Sequence, residues 1–90
     1  MDLNQTFALN KDIVWRLVDK EAVILDVSRG EYFSLNDTGT EIFLTIANKK
    51  PLVSYLTTQQ EIHKIGEKNL KADIVAFLRQ LLDERIIKRG

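Results

Sequence analysis

The sequence predicts an α+β domain, a three-stranded antiparallel sheet followed by three helices. Three observations carry this. Apolar residues alternate with period two between Ile13 and Leu35, interrupted by two short turn-forming clusters. At Asn36-Asp37-Thr38 capping residues appear, and the apolar spacing then becomes helical. Ninety residues leave room for one modest core, so a short meander needs helices on one face for stability.

Taken in order, residues 1–12 are polar apart from Leu3, Phe7 and Leu9, and they are expected as an amino-terminal arm ahead of a domain spanning 13–90, either loose or with those three apolar residues on a neighbouring surface. Ile13 to Val18 reads as the first strand, with Trp15 packed inward, ending at the polar turn Asp19-Lys20-Glu21. The second strand is Ala22 to Val27 and the third Glu31 to Leu35. Val23, Leu25 and Val27 make a fully apolar face, whereas Asp26 marks the other as partly wet. Those three match Phe33 and Leu35 only if Ser28-Arg29-Gly30 is a three-residue loop that sets Val27 opposite Glu31.

Thr38 and Glu41 have capping-box spacing, and Ile42, Phe43, Ile46 and Ala47 give the first helix its apolar stripe. Asn48-Lys49-Lys50 closes it, and Pro51 suits the first turn of a second helix carrying Leu52, Leu56, Ile62 and Ile65, with Gly66 as its stop. The third helix, about Leu70 to Arg85, carries two stripes, Leu70-Ile74-Phe77-Leu81 and Val75-Leu78-Leu82. At about 100° per residue they span roughly 160°, more than a surface helix usually needs to meet its core. The excess means either deep burial or a margin that meets something besides the core. Ile86 and Ile87 are expected to pack back on the strands.

Composition excludes more than it suggests. Thirteen basic and thirteen acidic residues cancel, which argues against the broad basic footprint of a general nucleic-acid binder. Without cysteine there is no disulfide or thiolate metal site, and no apolar run approaches the roughly 18 residues of a membrane span. A cytoplasmic protein is expected. His63 stands alone among Glu61, Lys64 and Glu67, and it reads as a solvated histidine rather than a base or metal ligand. Asp83 and Glu84 are adjacent on a helix and diverge, the glycines are scattered, and no serine has a nucleophile elbow. No catalytic residue, metal site or cofactor is expected.

Two binding readings remain, with a purely dimerising module as a third. Lys64, Lys68 and Lys71 surround the junction of the second and third helices, where a winged helix-turn-helix sets lysines against phosphates. Against nucleic acid, the third helix lacks a stripe of base-reading Asn, Gln and Arg, and it carries Asp73, Asp83 and Glu84 beside Arg79 and Arg85. The other reading is strand addition. In strand order 1-2-3 the third strand is an edge without proline or lysine to discourage pairing, and the broad third helix beside it would complete a groove for an extended peptide.

The block AVILDVSRGEYFSLNDTGTEIF and the closing helix DIVAFLRQLLDERII resemble, in order and over about residues 13 to 88, the pyrroloquinoline quinone biosynthesis protein D family. The family's usual glycine before the last aliphatic pair is absent, since Arg85-Ile86 stands there. The resemblance implies a winged-helix-like recognition element for ribosomally made, post-translationally modified peptides. Such an element binds the leader segment of a precursor as an added antiparallel strand. It presents the precursor to a maturation enzyme, a radical S-adenosylmethionine protein or a leader peptidase. Carried over, the strand wall is Glu31, Tyr32, Phe33, Ser34 and Leu35, and the helix wall is Asp73, Phe77, Gln80, Leu81 and Glu84.

Overall fold

The computed structural model describes residues 3–63 and 67–89, with side chains 58–70 outside the description. Along the chain run β1 (Phe7–Leu9), β2 (Ile13–Val18), β3 (Glu21–Asp26), β4 (Glu31–Ser34), α1 (Asp37–Ala47), α2 (Leu52–His63), α3 (Glu67–Asp83) and β5 (Ile87–Arg89). The expected meander is the sheet β2-β3-β4, and the three helices follow it. Of the two readings of the arm, the structure takes the packed one. Phe7–Leu9 pairs antiparallel with Ile87–Arg89 to form a second, two-stranded sheet. Leu3 and Phe7 are buried in the common core, and the Leu3 carbonyl accepts the Val53 N–H at 2.9 Å, satisfying a free donor in the first turn of α2.

The β3–β4 register is corrected, by one residue. Asp26 faces Glu31, Leu25 faces Tyr32, Ile24 faces Phe33 and Val23 faces Ser34. The loop therefore has four residues, Val27 to Gly30, closed by Gly30 N–H to the Asp26 carbonyl at 2.8 Å, with Gly30 left-handed at φ 67°. Asp26 causes the slip. Its carboxylate is 3% exposed and accepts from the Ser28 N–H (3.1 Å), the Ser28 hydroxyl (2.8 Å) and the Arg29 N–H (3.2 Å). A buried carboxylate is tolerated when so many donors meet it. The core row is therefore Ala22, Ile24 and Asp26, with Phe33 opposite Ile24, while Val27, expected inside, is 59% exposed at the loop's start. Val23, Leu25 and Tyr32 belong to the outer face. Trp15 faces inward opposite Ile24 and meets the Phe43 ring edge-on at 5.4 Å between centroids.

Asn36, not Thr38, caps α1: its side-chain oxygen accepts the Gly39 N–H at 2.8 Å. Thr40, one turn in, is buried and replaces a strand partner. Its hydroxyl accepts the Ala22 N–H at 2.8 Å and donates to the Leu35 carbonyl at 3.4 Å, so the chain leaves the sheet after Ser34. Tyr55 on α2 donates to Glu41 on α1 at 3.2 Å; burial, then the charge and hydrogen bond of Glu41, push its phenol up to about 12.

The third helix starts at Glu67, three residues earlier than expected. It ends in a Schellman motif: Ile86 N–H bonds the Leu81 carbonyl and Arg85 N–H bonds the Leu82 carbonyl, both at 3.0 Å. Arg85 occupies the left-handed position at φ 59°, where glycine is usual. That turn reverses the chain into β5, and Ile86 and Ile87 enter the core as expected. Ile62 and His63 have no described side chain, and Ile65 and Gly66 lie outside the described residues.

Candidate peptide-binding groove

Sheet geometry fixes which backbone groups β4 leaves open. Leu35 N–H bonds the Ala22 carbonyl at 3.0 Å, and antiparallel pairs alternate between bonded and non-bonded. By that alternation Phe33 and Glu31 turn their N–H and C=O toward β3. Tyr32 and Ser34 turn theirs to the open side. The expected five-residue strand wall thus offers backbone bonds from two residues.

What lies across from that edge is a gap. Helix α3 packs chiefly against α2 and β5, not onto β4. Its fully buried line is Ile74, Leu78 and Leu81, the centre of the broad apolar arc, while Phe77 and Val75 on the two margins are half-buried. The Phe77 margin faces the sheet. There Ser34, Leu35, Asn36, Thr38, Gly39, Ile42, Asp73, Phe77 and Gln80 line a cavity of about 360 Å³. Its lining joins apolar Leu35, Ile42 and Phe77 with polar Ser34, Asn36, Thr38, Asp73 and Gln80, the combination that binds and orients a side chain.

The cavity brings together five of the ten residues expected from the sequence, namely Ser34, Leu35, Asp73, Phe77 and Gln80. The rest lie elsewhere. Tyr32 is 72% exposed on the outer face, Phe33 packs inward opposite Ile24, and Leu81 is core at 2% exposure. Glu31 and Glu84 stand at the groove's far end, where Arg29 joins them: its Nη1 donates to the Glu84 carbonyl at 3.1 Å and its Nε lies 3.6 Å from Glu31 Oε1.

Sequence reasoning missed the start of α1, which supplies Asn36, Thr38, Gly39 and Ile42. One signal was legible. A glycine inside a helix costs roughly 1 kcal/mol against alanine, so Gly39 needs a reason. A Cβ there would lie 3.2 Å from Phe77 Cζ and 3.2 Å from Asn36 Oδ1, so the missing side chain lets α3's aromatic margin approach α1's first turn. Of the three lysines considered for nucleic acid, Lys71 is exposed on α3, Lys68 has no described side chain and Lys64 lies outside the described residues. Among the described residues no group of acidic residues and histidine is placed to hold a metal, and no helix is long and apolar enough to cross a membrane.

Comparison with known proteins follows the same geometry. The family model described as coenzyme PQQ synthesis protein D (PqqD) matches residues 21–87. No curated protein matches the chain in sequence. Two solved structures share the fold at a TM-score of 0.83 each. One, "TbiB1 in Complex with the TbiA(beta) Leader Peptide", is 21% identical over 90% of this chain and 94% of its own. The other, "Lasso peptide synthetase B1 complexed with the leader peptide", is 23% identical over 91% of this chain and 96% of its own.

Proposed function

The chain belongs to the coenzyme PQQ synthesis protein D (PqqD) family, and from that premise we propose that it is a non-catalytic peptide carrier. It binds the leader segment of a ribosomally made precursor and presents it to a maturation enzyme, a radical S-adenosylmethionine protein or a leader peptidase. In this reading β2, β3 and β4 are the wing of a winged-helix-like element, and the leader adds antiparallel to β4. The observation that carries the proposal is the gap between Ser34, at the open edge of β4, and the Phe77 margin of α3. That both fold relatives are described with leader peptides bound supports it.

Magnitudes divide the work between the two walls. Tyr32 and Ser34 give at most four main-chain bonds, worth roughly 2–6 kcal/mol in net terms. Micromolar affinity needs about 8 kcal/mol after the costs of association and ordering. Alternate side chains of the peptide, directed onto Phe77, Leu35 and Ile42, must supply the remainder and with it the choice of sequence.

The test is a titration with a fluorescently labelled synthetic leader segment of a precursor peptide. Saturable binding that Phe77→Ala weakens about tenfold or more is expected. Binding indifferent to Phe77→Ala, and equally strong with a scrambled leader, would contradict the proposal.

A further inference from the structure

The two ends of the groove differ in chemistry. Helix α3 runs opposite to β4: Glu84 meets the loop before β4 through Arg29, whereas Asp73 shares a cavity with residues just after it. Glu84, just past the end of α3, lies eleven positions after Asp73. At 1.5 Å rise each this is roughly 16 Å, or about five residues of extended peptide.

At the Glu84 end the local cation is already engaged. Arg29 bonds the Glu84 carbonyl, lies 3.6 Å from Glu31 Oε1 and 4.0 Å from Asp26 Oδ2. At the other end the balance is different. The positive terminus of α1 is capped by Asn36, whose side-chain oxygen takes the Gly39 N–H, and its first turn carries Asp37. Asp73 stands on the cavity rim with no cation within ion-pair distance among the described residues. Below it lie Leu35, Ile42 and the Phe77 ring. An apolar lining beside a carboxylate suits a long aliphatic stem carrying a cation. An aliphatic side chain would fill the apolar part without engaging Asp73, and an acidic one would be repelled.

We propose that Asp73 makes this end of the groove a subsite for lysine or arginine, at the amino-terminal side of the bound strand. The polarity follows because a peptide antiparallel to β4 begins where β4 ends. This selectivity rests on the peptide-carrier reading above and adds the chemistry of its ligand.

A random 12-residue peptide library displayed on phage and panned against the wild type and Asp73→Lys tests it. Wild-type binders should share a lysine or arginine preceding an alternating apolar stretch. Asp73→Lys should shift that position to aspartate or glutamate, and replacing the basic residue of a selected peptide by norleucine should weaken wild-type binding about tenfold. Binders that lose affinity in Ser34→Pro but ignore Asp73→Lys would overturn the charge rule and leave the peptide reading standing. A library yielding no binder sensitive to Ser34→Pro would overturn both.

Discussion

The sheet β2-β3-β4 has two edge strands, and they have opposite prospects. On β2, alternation from the same ladder leaves the backbone of Trp15 and Leu17 open, as β4 leaves that of Tyr32 and Ser34. The β2 edge has more apolar side chains beside it: Val14, Leu17 and Val18 are exposed and Trp15 is 37% exposed. Yet β4 looks across a cavity to a helix, because α1 starts immediately after it and brings Gly39 against Phe77. Free main-chain groups are therefore not enough to make a site. On the proposed function, a second wall decides which edge accepts a peptide and which side chains it accepts.

Proline substitutions break this comparison most sharply. Tyr32→Pro and Ser34→Pro each delete an open-edge donor at an exposed position, and each should cost about 1.4–2.8 kcal/mol of peptide binding, ten- to a hundredfold, with folding retained. Leu17→Pro makes the same change on β2 and should leave the dissociation constant within about twofold. Equal losses from the two edges, measured by anisotropy, would remove the distinction.

The register that sets these donors is testable next. Leu25→Cys with Tyr32→Cys places two thiols directly opposite on the outer face and should oxidise readily, stabilising the fold by about 2–3 kcal/mol in chemical denaturation. The pair Leu25→Cys with Phe33→Cys, opposite under the three-residue loop, should resist oxidation because the side chains lie on opposite faces.

The smallest effect concerns the turn that ends α3 and positions the groove's far end. Arg85→Gly removes the strain of a left-handed non-glycine residue and should raise stability by about 1 kcal/mol, with peptide affinity unchanged. A thermal melt alongside the binding assay checks both parts.

The elements were legible because their periods are strong. β2 falls on Ile13–Val18 as expected, and α1 ends at the expected Ala47. The register was misread at one residue. Asp26 in an alternating strand looks like a marker of the wet face, but it is buried by serving three loop donors, which no period reveals. The β1–β5 pair was missed because three-residue strands nearly eighty positions apart leave no local pattern. The width of α3's apolar arc left open deep burial or a margin meeting something else, and Phe77, Asp73 and Gln80 line a cavity on one margin. Leu81 was assigned to the same wall, yet it sits at the centre of the arc and packs into the core.

The most direct measurement is amide chemical-shift perturbation on titration with the leader peptide. The account predicts the largest changes at Tyr32, Ser34, Gly39 and Phe77, slowed amide exchange at Tyr32 and Ser34, and little change at Trp15 and Leu17. Perturbation centred on β2 or around Lys71, with Tyr32 and Ser34 unaffected, would contradict it.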